Sequence, residues 1–260
     1  MEYVIVALAA FFSSALTLFS GFGLGTLLLP AFAVFFPNEV AVAATAIVHA
    51  ANNLLKVALL GQKADRSIVL RFGIPAIISS FAGAALLVVL ATGSPLHTYQ
   101  IGSMRAAITP LNLVLALLML GFAALEILPQ FAHLQFDRKY LPVGGILSGF
   151  FGGVSGHQGA LRSAFLAKSG LTTHTYIATN AVIALLVDFI RIAVYALAMA
   201  GGSGFSGGLH WPLVFTGMIA AFSGVIVGKR YIHKVTMRWV QVLTGVLLAL
   251  IAFALGAGII

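Results

Sequence analysis

The chain has no cysteine. Disulfides, thiolate metal sites and cysteine nucleophiles are therefore excluded. Charge is scarce as well: 8% of the 260 residues are Asp, Glu, Lys or Arg, where a soluble domain averages about 25%. Acids are scarcest, six against fourteen Lys and Arg, which leaves a net charge of +8 with the seven histidines neutral. Such a chain cannot cover a water-exposed surface, and composition alone rules out a soluble domain. The alternating apolar and polar segments of a closed barrel are missing too. Long unbroken apolar runs stand in their place, and hydrophobic residues make up 61% of the chain. They predict an all-α polytopic membrane protein, since helices satisfy their own backbone in lipid. Glu2 and the lack of an early basic stretch argue against reading the first apolar segment as a cleaved leader. Basic residues sit mostly in short polar gaps, a pattern of membrane topology and not of nucleic-acid binding.

The spacing predicts helical segments at 3–19, 26–36, 39–60, 68–91, 103–128, 141–151, 159–168, 174–199, 211–228 and 236–258. Six have 18 or more residues, enough to cross a core of about 30 Å at about 1.5 Å per residue. Segments 26–36, 141–151 and 159–168 are too short to span alone. Glycine-rich breaks adjoin them, Gly21-Phe22-Gly23-Leu24-Gly25 and Gly152-Gly153-Val154-Ser155-Gly156-His157-Gln158-Gly159. Each break predicts either a broken helix or a re-entrant hairpin.

Five short matches recur in the same order. Ser20-Gly21-Phe22 returns as Ser148-Gly149-Phe150, Ala44-Thr45 as Ala178-Thr179, and Phe81-Ala82-Gly83 as Phe222-Ser223-Gly224. Asn53-Leu54-Leu55-Lys56 returns as Asp188-Phe189-Ile190-Arg191, and Ser103-Met104-Arg105 as Thr236-Met237-Arg238. A duplication accounts for them. The halves are 1–130 and 141–260, joined by a polar linker at 131–140. Charge orients them. If each broken segment crossed once, basic gap residues would divide five against six between the two faces. If each enters and leaves on one face, Lys63, Arg66, Arg71, Arg138, Lys139, Lys168, Lys229, Arg230, Lys234 and Arg238 gather on one side and Arg105 alone on the other. Ten against one satisfies the positive-inside rule. The expectation is two inverted repeats, each a glycine-broken hairpin plus three transmembrane helices, in the cell membrane with the basic loops cytoplasmic.

Lys56, Arg162 and Arg191 lie within apolar stretches against one acid, Asp188. A charge at the bilayer centre costs about 2.5–3.5 kcal/mol on insertion scales, so such residues mark pathways and binding sites. A cationic excess there asks for an anion. Inverted-repeat transporters bind solutes at the ends of interrupted helices, whose backbone N–H groups attract anions. Gly23, Gly25 and Thr26 are the candidates at the first break, and Gly156, His157 and Gln158 at the second. The bland reading of these glycines is helix packing by small residues. Arg162 follows Gln158 by four residues on the same helix face, and a guanidinium holds an oxyanion through two donors at once. Asn180, Asp188 and Arg191 share one long segment. Asp188 is either a proton site or the local partner of Arg191. Thr45, His49, Asn52 and Lys56 fall on a 4-3-4 stripe with Asn53 beside it, which predicts a polar face turned away from lipid. Lys56 either stays inside or snorkels to the interface.

The run Gly21-Phe22-Gly23-Leu24-Gly25, then Pro30, then Val42-Ala43-Ala44-Thr45 resembles the TauE/SafE sulfite exporter family, the toluene-sulfonate uptake permease group. The resemblance extends over the whole chain in length, duplication and glycine-rich breaks. It implies secondary transport of a small sulfur-containing oxyanion of the sulfite, sulfonate or sulfoacetate type, with possible proton coupling. It implies no cofactor, metal or catalytic residue, and the sequence implies no oligomeric state. The chain departs from the family at the second break, where Ser155, His157 and Gln158 replace a plainer glycine run and Arg162-Ser163 replaces a proline-containing apolar stretch. Two alternatives stay open. One is an anion channel of the same fold. The other is an intramembrane serine protease, because Gly153-Val154-Ser155-Gly156 matches a Gly-x-Ser-Gly pattern and a serine nucleophile needs a nearby base such as His157.

Overall fold

The computed structural model describes the chain apart from residues 18–23, 103, 132–133, 206, 232–236 and 260. Ten α-helices form among the described residues: α1 Glu2–Thr17, α2 Leu24–Ala33, α3 Asn38–Leu60, α4 Arg66–Ala91, α5 Pro110–Ile127, α6 Leu141–Ser155, α7 Gly159–Leu166, α8 Thr173–Ala200, α9 Trp211–Tyr231 and α10 Met237–Gly256. Local chemistry sets several of their starts. Asp65 caps α4 by accepting from the Ile68 N–H, Thr109 caps α5 ahead of Pro110, and Thr172 caps α8. Five helices are long and apolar enough to cross a membrane: α3, α4, α5, α8 and α9. Large apolar side chains such as Ile78, Leu117, Leu197, Ile219 and Phe253 are exposed, while Arg162, Arg191 and Asp188 are buried. Apolar outside and charged inside is the arrangement lipid requires. The protein is an all-α polytopic membrane protein.

One expected helix starts late. β1 His97–Ile101 and β2 Met104–Ile108 pair antiparallel, and the helix expected from 103 begins at Pro110. Pro110 supplies no N–H and is tolerated only in a first turn, so it resists inclusion in the interior of a longer helix. The strand pair also fastens the chain's end: the Ala107 N–H donates to the Gly258 carbonyl at 3.0 Å, and the Tyr99 hydroxyl donates to the Ala257 carbonyl.

The packing fixes helix direction. Gly145, Gly149 and Gly153 of α6 lie against the carbonyls of Phe72, Ala76 and Ser80 of α4, in steps of four along both helices. The helices are therefore parallel, and close backbone approach is what these glycines allow. Gly224 and Gly228 of α9 lie against Phe11 and Ala15 of α1 in the same way. By contrast, α3 and α8 are antiparallel: His49 meets Asp188, while Asp65, beyond the end of α3, meets Thr179 near the start of α8. So are α5 and α10, since Arg238 at the start of α10 reaches the Glu126 carbonyl at the end of α5. Exchanging α1–α5 for α6–α10 in order turns the α1–α9 pair into α6–α4 and returns α3–α8 and α5–α10 to themselves. The halves run in opposite directions. Simple single crossings of the broken segments would have made α3 and α8 parallel.

Two of the repeat matches shift. Gly83 packs on the Phe150 carbonyl and Gly224 on the Phe11 carbonyl, so the counterpart of Phe150 is Phe11 and not Phe22. Ser148-Gly149-Phe150 lie inside α6, whereas residues 20–22 lie outside the described residues. Met104-Arg105 belong to β2, while Met237-Arg238 open α10.

Candidate functional site

The second break is a hairpin. α6 ends where Gly156 takes φ +82°, a conformation that favours glycine, with its N–H on the Gly152 carbonyl at 2.9 Å. α7 then runs back beside α6: Gly144 abuts the Phe165 ring, and the Ser148 hydroxyl donates to the Gln158 carbonyl at 3.0 Å. No side chain at Gln158 caps α7, so the first N–H groups of this short helix are presented at a buried tip.

The two breaks meet. A Cβ placed on Gly25 would stand 3.5 Å from the Gly156 carbonyl oxygen, 3.8 Å from Thr45 Cγ2 and 3.9 Å from His49 Cδ2. Gly156 in turn lies against the Arg191 guanidinium. Gly23 falls outside the described residues, and only the backbone of Thr26 is described. The other ten expected site residues gather at the crossing of α3 and α8.

Asp188 is held by four contacts from three side chains. Its Oδ1 accepts from Arg191 Nε at 3.0 Å and Nη2 at 2.7 Å. Its Oδ2 meets His49 Nδ1 at 2.7 Å and accepts from Asn53 Nδ2 at 3.2 Å. The carboxylate thus bridges the two halves. Arg162 donates from Nη1 to Gln158 Oε1 at 2.9 Å and from Nε to Asn180 Oδ1. Lys56 is 8% exposed, so it has not snorkelled, and the whole 4-3-4 stripe of α3 is buried. Asn52 is tied to α1 by the Ser14 hydroxyl at 3.1 Å.

Sequence reasoning singled out Asp188 and Arg191 but did not count His49 among the solute-binding residues. Its helical spacing from Thr45 was the available signal. Tyr195 was missed: one turn beyond Arg191, it is buried and its hydroxyl donates to the Gly153 carbonyl, locking α8 to the end of α6. Nor did the sequence single out Phe122, whose ring stacks on His157 at 5.7 Å between centroids.

Four buried polar atoms here have no hydrogen-bond partner among the described residues: Thr45 Oγ1, His157 Nε2, Gln158 Nε2 and Arg191 Nη1. Folded proteins pair nearly all buried polar groups, so a cluster of unfilled ones calls for an explanation such as a bound solute. Three of the four are able to donate. His157 Nδ1 lies 3.0 Å from Ser155 Oγ, and Ser155 itself donates to the Phe151 carbonyl at 3.2 Å. With its hydrogen committed there, the serine oxygen accepts from Nδ1–H, which leaves Nε2 as an acceptor. A base for nucleophilic catalysis must instead take the serine proton.

A family model described as sulfite exporter TauE/SafE matches residues 6–255 of the chain. The chain belongs to that family. No curated protein and no solved structure matches it. TauE/SafE proteins are transporters of the sulfur-anion exporter type, which agrees with the orientation of the Ser155–His157 contact away from catalysis. In this TauE/SafE chain the α3–α8 crossing carries unfilled donors beside Gly25 and Gly156.

Proposed function

We propose that the chain is an inverted-repeat secondary transporter for a small sulfur-containing oxyanion, bound between the Gly25 and Gly156 tips. The observation that carries this reading is the convergence of unfilled donors from both halves, Thr45 from α3 and Gln158 and Arg191 from the second half, at that junction. Arg162 supplies charge and orients Gln158 so that its amide nitrogen stays open. The first N–H groups of α7 add a partial positive end. Asn180 holds Arg162 from α8.

The repeats are assigned to residues 1–130 and 141–260, with 131–140 as a linker on the cytoplasmic side. Arg138 pairs with Asp65 at 3.9 Å and Lys168 with Asp137 at 3.8 Å, which ties the linker to the start of α4 and to the turn after α7. A coupling proton has two places to sit, the Asp188–His49 contact and the open Nε2 of His157. Both lie at the solute junction, where a proton and an anion would neutralise each other.

The test is anion binding by the purified protein. Arg162→Ala is expected to abolish it, and Arg105→Ala, on the β-hairpin, to leave it intact. Equal losses would discredit the site. Counterflow in proteoliposomes separates carrier from channel: exchange accelerated by solute on the far side is expected here, and its absence would favour a channel.

A further inference from the structure

The four unfilled atoms at the junction are not all of one kind. Thr45 Oγ1, Gln158 Nε2 and Arg191 Nη1 carry hydrogens to donate. His157 Nε2 does not. Nδ1 of the same ring lies 3.0 Å from Ser155 Oγ, whose own hydrogen goes to the Phe151 carbonyl at 3.2 Å. The Ser155 main chain accepts from the ring as well. Both contacts place the imidazole hydrogen on Nδ1, and Nε2 keeps a lone pair. The ring is buried, stacks on Phe122, and pairs with no carboxylate among the described residues. His157 directly follows Gly156, which lies against the Arg191 guanidinium and faces Gly25. The lone pair therefore stands at the same junction as the three donors.

A bare oxyanion suits donors and nothing else. Its oxygens only accept, so an imidazole lone pair beside them would stay unfilled and would repel them. A solute that carries one O–H resolves the conflict. We infer that the solute is a singly protonated oxyanion, which donates its O–H to His157 Nε2 while its remaining oxygens accept from Thr45, Gln158 and Arg191. The inference rests on the anion-site reading above and adds the protonation state of the solute. Within the sulfur-anion class, hydrogensulfite has such an O–H and a sulfonate has none. The hydrogen then travels with the solute. Such a site discriminates on a single hydrogen, because the analogue that lacks it leaves a buried acceptor without a donor.

Methylphosphonate and methanesulfonate test this directly. They are tetrahedral and nearly equal in size. In buffer acidic enough to hold methylphosphonate as a monoanion they also have the same charge, and they differ by one O–H. Titration calorimetry on the purified wild-type protein is expected to show methylphosphonate binding at least about tenfold tighter. His157→Phe keeps a ring against Phe122 and removes Nε2, and it should bring the two ligands within about threefold of each other. Methanesulfonate binding to the wild type as tightly as methylphosphonate, or more tightly, would overturn the inference while the anion site stands. So would a preference for methylphosphonate that survives in His157→Phe. If neither anion binds, the site itself is refuted and the inference falls with it. The wild-type comparison decides the matter even if His157→Phe does not fold.

Discussion

The two halves share one architecture and divide the chemistry unequally. Thr45 of α3 and Thr179 of α8 come from the recurring Ala-Thr pair, one residue out of register with the Asn53–Asp188 match, and they differ in bonding: the Thr179 hydroxyl accepts from the Asp65 N–H at 2.9 Å while Thr45 Oγ1 has no described partner. Asn53 matches Asp188, and Lys56 matches Arg191. The second half therefore carries its own neutralised ion pair, whereas the first carries a neutral amide and a buried amine. At the breaks the contrast repeats, with Gly25 facing the Gly156, His157 and Gln158 tip, behind which stands Arg162. The breaks approach each other at Gly25 and Gly156, and the charged groups lie mostly in the second half. A symmetric scaffold with an asymmetric site gives a solute one orientation instead of two equivalent ones.

The largest expected effect is on the charged side. Arg162→Ala should weaken anion binding by more than about a hundredfold, since a charge-assisted donor and the orientation of Gln158 are lost together. Arg162→Lys should recover only part of it, because an ammonium cannot hold two amide oxygens and keep a planar fork. Binding calorimetry checks both, and a full recovery by lysine would show that charge alone matters.

Next comes the carboxylate. Asp188→Asn leaves Arg191 buried without its ion-pair partner and should cost about 3–5 kcal/mol of stability, read as a lower thermal midpoint. Moving the carboxylate to the matching position of the other half, Asn53→Asp with Asp188→Asn, should restore part of the loss, because Asn53 and Asp188 already touch. If the swap restores nothing, the halves are less alike at this crossing than their packing implies.

The two threonines of the recurring Ala-Thr pair give a smaller and more discriminating test. Thr179→Val removes a bond to a backbone N–H and should cost about 1 kcal/mol of stability with little change in affinity. Thr45→Val should do the reverse, lowering affinity severalfold with stability unchanged. Identical behaviour of the two variants would contradict the assignment of Thr45 to the solute. The glycine comparison is comparable in size. Gly156→Ala meets both a left-handed backbone and the Arg191 guanidinium, so it should cost at least about 1 kcal/mol. Gly25→Ala meets only ordinary contacts at 3.5 Å or more and should be nearly neutral for folding while crowding the solute.

Much of this was legible in the chain. Long apolar runs, glycine breaks and the lopsided distribution of basic residues were enough for the helices and their opposed halves. The 4-3-4 stripe was enough to turn Thr45, His49, Asn52 and Lys56 inward. Periodicity does not encode partners across the chain, which is why the His49–Asp188 contact and the Tyr195–Gly153 lock were not foreseen. The β1–β2 pair escaped because it depends on a pairing with Ala257 and Gly258, residues about 150 positions away. Nor does local similarity fix equivalence: Phe150 matched Phe22 by its neighbours, but Phe11 by what packs on it.

Density for the protein saturated with sulfate is the most direct measurement. The account predicts a compact tetrahedral feature between Gly25 and Gly156, within hydrogen-bond distance of Thr45 Oγ1, Gln158 Nε2 and Arg191 Nη1. A closed junction, with those three atoms bonded to protein and the sulfate elsewhere, would contradict it.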